Sequence, residues 1–131
     1  MKPAASRWLA LLFTATALLH LLPIWRVHYV PTGDGPSHLY NAVVLQELGA
    51  GSAEMARLFR IDARPYPNWL SHALLRLALA AAPPLVAEKL VLSVIVLLFL
   101  AAAWTLAGTV DRESRVYAFL AMPFAFNFLL Q

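Results

Sequence analysis

The fold is decided by LVLSVIVLLFLAAAWTLAGTV at residues 90–110, a run of 21 residues without a charged side chain. An α-helix of this length rises about 1.5 Å per residue, or about 32 Å in all, which matches the roughly 30 Å hydrocarbon core of a bilayer. Charged residues flank the run on both sides: Glu88, Lys89, Asp111, Arg112, Glu113 and Arg115. The sequence therefore predicts a transmembrane helix over residues 90–110.

The composition of the whole chain agrees with a membrane protein. Of its 131 residues, 61% are hydrophobic and 13% are charged, and the mean hydropathy is +0.68. Soluble domains average roughly 45–50% apolar and about 25% charged residues. The net charge of +3 is spread thinly, without a basic run or interleaved aromatic residues, so no nucleic-acid partner is expected. The absence of cysteine excludes disulfides, zinc-thiolate sites and thiol nucleophiles.

A second apolar run, residues 8–25, predicts the first transmembrane helix. Trp8 and Trp25 lie at its two ends, where amphipathic rings favour the membrane interface. Lys2 and Arg7 precede it, so residues 1–7 are expected to be cytoplasmic. A cleaved signal peptide is the rival interpretation, but no small-x-small cleavage site follows the run, which favours an uncleaved anchor in the inner membrane.

The remaining segments complete an all-α prediction. Residues 26–89 form a long extracytoplasmic loop, residues 111–115 a cytoplasmic link, and residues 116–131 an incomplete third span of about 23 Å. The expected fold is thus an integral membrane protein of two to three transmembrane helices joined by a loop of short amphipathic helices. We also expect the chain to be the N-terminal piece of a longer multi-pass protein and to be inactive as an enzyme by itself.

Three short helices are predicted within the loop, over residues 37–48, 52–61 and 68–82. Ser52 is expected to cap the second of them. In the third, Asn68, His72 and Arg76 share one face at 100° per residue, and the opposite face is apolar with Leu70 and Leu77. Such a helix suits the membrane interface or the mouth of a helical bundle.

Candidate chemistry lies at the start of the loop, in DGPSHLYN at residues 34–41. A carboxylate at Asp34 can accept a proton from a hydroxyl or amine, or help to hold a divalent cation against a lipid-linked phosphate. His38 follows one helical turn later and Asn41 another turn on, so the three side chains can line one side of a pocket. The alternative is structural, because Asp before Gly-Pro is common in turns and as an N-cap.

His72 and Arg76 are candidate contacts for a lipid-linked diphosphate, although a polar interfacial face also explains them. A metal site formed by Asp34, His38 and His72 is disfavoured because nothing in their spacing implies coordination. No metal ligands are assigned, and the cofactor stays open, with a divalent cation as one alternative.

Two local strings carry a resemblance to a known superfamily. PTGDGPSHLYNA at residues 31–42 and YPNWLSHALLRLALAAAPPLVAEKL at residues 66–90 are similar to bacterial multi-pass membrane proteins of the C-type glycosyltransferase superfamily. The resemblance implies that Asp34 is a catalytic base or metal-site residue and that the donor is a sugar on a polyprenyl-phosphate carrier, used on the extracytoplasmic face. Many members have a paired acidic motif here, whereas the neighbours of Asp34 are Gly33 and Gly35, which leaves metal dependence open.

A non-enzymatic function is the alternative to this expectation. The loop helices would then bind a partner or lipid, and the chain would be a membrane scaffold or interaction subunit. A transporter is disfavoured because the predicted spans carry almost no polar side chains, which a substrate path requires.

Overall fold

The computed structural model describes residues 3–62, 64 and 69–126, and within those ranges the chain is helical and contains no strand. Six α-helices and one 3-10 helix follow one another along the chain: α1 (Pro3–Leu19), α2 (Leu22–Arg26), α3 (Gly35–Gly49), α4 (Ala53–Leu58), α5 (Trp69–Leu79), α6 (Pro84–Val110) and the 3-10 helix Glu113–Phe124. They form two compact units, a central unit (Tyr29–Val91) and a terminal unit (Met1–His28 with Leu92–Gln131).

Two helical segments are long and apolar enough to cross a membrane, Ser6–Arg26 and Pro84–Val110. Only 17% of the first apolar window and 28% of the second are buried. The core helix of a soluble protein would be mostly buried, so these fractions agree with a membrane protein.

The first of these segments is interrupted. Helix α1 ends at Leu19, and α2 begins at Leu22 with Pro23 in its first turn. Proline has no N–H, and its ring clashes with the carbonyl four residues earlier, which here belongs to Leu19. The predicted span over residues 8–25 therefore corresponds to two helices.

The core of the terminal unit is built around Phe13 of α1, which is 6% exposed. Its ring packs against Trp104 of α6 at 4.7 Å between centroids and meets Phe119 of the 3-10 helix edge-on at 5.1 Å. Edge-on and offset aromatic pairs are favourable because the positive ring edge meets a negative face. These contacts hold α1, α6 and the 3-10 helix together.

Several polar groups in the terminal unit have partners inside it, although Arg115 Nε is buried without a hydrogen-bond partner among the described residues. The Trp25 indole donates a hydrogen bond to Ser93 Oγ at 3.1 Å, and His20 Nε2 lies 2.9 Å from the Met122 carbonyl oxygen. The Thr105 hydroxyl donates to the Ala101 carbonyl of its own helix. Satisfying polar groups internally is what a hydrocarbon environment demands.

The segment predicted as the start of a third span has a different form. Residues 113–124 are a 3-10 helix with Pro123 near its end, and residues 127–131 lie outside the described residues. The carbonyl of Asp111 accepts the Ser114 N–H at 3.1 Å, which begins this tighter turn pattern. The described part of the predicted span is therefore not a regular α-helix.

The central unit contains the predicted loop helices with adjusted ends. The helix predicted at residues 37–48 begins two residues earlier, at Gly35, because Pro36 fits the first turn of a helix. The capping role of Ser52 is confirmed: its Oγ accepts the Met55 N–H at 3.4 Å, although α4 ends at Leu58 and not at residue 61.

Helix α5 packs with the face that carries its predicted polar stripe. Leu75 and Leu79, which interrupt the predicted polar stripe, are the buried residues of this helix, and His72 beside them is half-buried. Leu70 and Leu77 on the predicted apolar face are 66% and 74% exposed. The face with the polar stripe thus packs against the protein, and the apolar face points outward.

Candidate functional site

Asp34 occupies the position immediately before α3. Its backbone carbonyl accepts the His38 N–H at 3.0 Å, as expected of an N-cap residue, but its side chain makes no capping hydrogen bond. The residue is exposed, and no described residue donates a hydrogen bond to its carboxylate. The carboxylate is therefore available to a ligand, whereas the cap interpretation requires it to face the helix N–H groups.

The structure brings His38 and His72 together. His38 Nδ1 on α3 lies 3.0 Å from His72 Nε2 on α5, and the two rings are tilted by 54°. Both side chains are half-buried. A nitrogen pair at this distance forms a hydrogen bond only when one imidazole carries the proton and the other presents a lone pair. The contact therefore requires at least one neutral histidine.

Burial and charge act on His72 in the same direction. Burial is the larger cause and lowers the pKa of His72 below its ordinary value of 6.5, and the neighbouring His38 lowers this pKa further. The neutral ring is favoured because desolvation and a like charge both penalise the imidazolium.

Asn41 and Arg76 each lie one helical turn beyond one of these two histidines. Asn41 is exposed on α3, one turn beyond His38. Arg76 is exposed on α5, and its Nη2 lies 3.4 Å from the position that a Cβ on Gly49 would take. That position is at the end of α3, where a cation is favoured by the carbonyl end of the helix dipole.

The geometry gives limited support for a metal. His38 and His72 offer two ring nitrogens at one point, but within residues 3–62, 64 and 69–126 no group of three His, Asp or Glu side chains is placed to hold an ion. Structural zinc sites use four ligands and catalytic sites use three. The pair is better described as a hydrogen bond between helices.

Glu88 is a residue that sequence reasoning missed as a candidate, since it was treated only as a charge flanking the second span. It lies in the second turn of α6, is 7% exposed, and its Oε1 is buried without a hydrogen-bond partner among the described residues. A signal was present, because an acidic residue inside an apolar helix at the membrane marks a functional position by default.

No family model matches the chain, and no similar curated protein or solved structure was found.

Proposed function

We propose that this chain contributes to a membrane glycosyltransferase that takes a sugar from a polyprenyl-phosphate carrier on the extracytoplasmic face. The observation that carries the proposal is the Asp34 carboxylate, which is exposed before α3 and makes no capping hydrogen bond. A carboxylate in this state can act as a general base. The resemblance of residues 31–42 to C-type glycosyltransferases assigns the same role to the same residue.

In the proposed reaction, the hydroxyl oxygen of the acceptor attacks the anomeric carbon of the donor sugar. The Asp34 carboxylate accepts the proton of this hydroxyl. The bond between that carbon and the phosphate oxygen breaks, and polyprenyl phosphate leaves with the electron pair. Asn41, which is exposed on α3, is the proposed contact for the lipid-linked substrate. Arg76 lies beside Gly49 at the opposite end of α3 from Asp34 and takes no part in this proposal. His38 and His72 hold α3 against α5.

Native membranes provide the test, because the chain is present there with whatever else the transferase requires, and the donor is a radiolabelled polyprenyl-phosphate sugar. The variant Asp34→Asn keeps the shape of the side chain but cannot take up a proton, so we expect transfer to fall by roughly 100-fold or more. Glu47→Gln is the matched control, because Glu47 is an exposed carboxylate on the same helix. Unchanged transfer in Asp34→Asn, at equal abundance in the membrane, would remove Asp34 from the mechanism and favour the scaffold alternative.

The proposal also requires a location and an orientation. We propose that the chain lies in the inner membrane, with its N-terminus and residues 111–115 in the cytoplasm and the central unit outside. Because the sequence contains no cysteine, single cysteines report topology without background. A maleimide that cannot cross the membrane should label Glu47→Cys in intact cells and Asp111→Cys only after lysis. The opposite pattern would place the candidate base on the wrong side.

A further inference from the structure

The central unit contains an open groove of about 310 Å³ between α3 and the start of α6. Its walls are almost entirely apolar, with Leu39 and Val43 from α3 and Leu85 from α6, and Tyr29 and Tyr40 are also in its lining. Glu88 is the only acidic residue in this lining. A groove of this kind suits an amphiphile whose polar end meets one carboxylate.

Glu88 is unusual because its burial is not compensated. The side chain is 7% exposed, and neither its Oε1 nor the nearby Thr32 Oγ1 has a hydrogen-bond partner among the described residues. A buried acceptor without a partner is destabilising, and more so when the group is charged. No described residue in the lining of the groove carries a positive charge that would offset this carboxylate.

The backbone around Glu88 is shaped to keep the carboxylate in place. A Cβ at Gly35 would overlap Thr32 Oγ1 and would lie 2.7 Å from Glu88 Oε1, so only glycine lets the first turn of α3 approach this closely. The start of a helix carries a partial positive charge, which favours an anionic carboxylate beside it. Both features favour a carboxylate at this point of the groove.

The depth of Glu88 points to a lipid. The 27 residues of α6 extend about 40 Å, roughly 10 Å more than the hydrocarbon core of a bilayer. The excess equals about six residues, and residues 84–89 are the part of α6 that precedes its charge-free run. Glu88 thus falls in the headgroup layer when residues 90–110 cross the core.

We propose that this groove binds a phospholipid with a primary amine in its headgroup and that Glu88 accepts hydrogen bonds from the ammonium. A primary ammonium provides the positive charge that no described lining residue supplies, together with N–H donors for the carboxylate oxygens. A quaternary ammonium provides only the charge. This proposal does not rest on the proposed transfer chemistry at Asp34.

The first test uses the unmodified full chain, purified in a mild detergent and titrated with short-chain lipids in native mass spectrometry. The headgroups form a series: phosphatidylethanolamine, its N-methyl and N,N-dimethyl derivatives, phosphatidylcholine and phosphatidylglycerol. We expect one tightly retained phosphatidylethanolamine, weaker binding with each added methyl group, and roughly tenfold weaker binding of phosphatidylcholine. Equal retention of phosphatidylethanolamine and phosphatidylcholine would overturn the proposal. It would also be overturned if soluble phosphoethanolamine competed for the site as strongly as the phospholipid does.

Two variants then test the assignment to Glu88. Glu88→Gln removes the charge but keeps the shape, and we expect it to bind phosphatidylethanolamine roughly tenfold more weakly, whereas Glu47→Gln should bind it like the unmodified chain. Asp34→Asn should also retain the lipid, which separates this site from the proposed transferase function. Undiminished binding by Glu88→Gln, with an unchanged helical circular dichroism spectrum, would overturn the role of the carboxylate.

Discussion

His38 Nδ1 on α3 and His72 Nε2 on α5 lie 3.0 Å apart, although the two residues are 34 positions apart in the sequence. The two rings share one hydrogen bond at the face where Leu75 of α5 is also buried. This contact links the helix that begins beside Asp34 to the helix that carries Arg76. The packing of α3 against α5 therefore depends on the protonation state of the pair.

We predict that acid weakens the packing of α3 against α5. The pKa of His72 is lowered in the folded chain, mainly by burial, so between that pKa and 6.5 the unfolded chain binds the proton and the folded chain does not. Stability therefore rises with pH across this window, is fully present above pH 6.5, and is lost as the pH falls below 6.5. The apparent Tm in detergent, measured between pH 7.5 and 5, should decrease.

A variant that lacks His72 isolates the contribution of this histidine to the acid response. In His72→Gln the decrease of Tm towards low pH should be smaller, and at pH 7.5 the variant should be less stable by roughly 1 kcal/mol because the hydrogen bond is altered. His28→Gln serves as the comparison at an exposed histidine. An identical pH profile for His72→Gln and the unmodified chain would show that the pair does not govern the acid response.

Capping variants distinguish the two interpretations of Asp34. Because its side chain makes no capping hydrogen bond, Asp34→Ala should leave the thermal unfolding of the chain unchanged within about 0.5 kcal/mol. Ser52→Ala removes a side chain that does cap, at Met55 N–H, and should cost about 1 kcal/mol. Thermal melts followed by circular dichroism compare the two. A loss in Asp34→Ala as large as that in Ser52→Ala would restore the cap interpretation.

The orientation of α5 gives a third prediction. Leu75 is 5% exposed and Leu77 is 74% exposed on the same helix. Leu75→Ala should cost about 2–5 kcal/mol because it opens a cavity, whereas Leu77→Ala should change stability by less than about 0.5 kcal/mol. Denaturant unfolding in detergent measures both variants. The reverse order would mean that the apolar face of α5 is the face that packs inward.

Parts of the candidate site were accessible from sequence and parts were not. The spacing of Asp34, His38 and Asn41 on one helix follows from local rules, and α3 indeed contains His38 and Asn41 with Asp34 at its start. The approach of His72 to His38 does not follow from any spacing, because it depends on how two helices pack. Glu88 was overlooked for the same reason, since its burial depends on its position against Gly35.

The sequence by itself determined the helical class, the two apolar segments and the start of α4 at the Ser52 cap. These features depend on hydropathy and side-chain capping, which act over a few neighbouring residues. Only the tertiary structure decided which face of α5 is buried and that His38 meets His72. Periodicity marks a polar and an apolar face, but in a lipid environment the apolar face is stable on the outside, so pattern alone does not identify the side that packs.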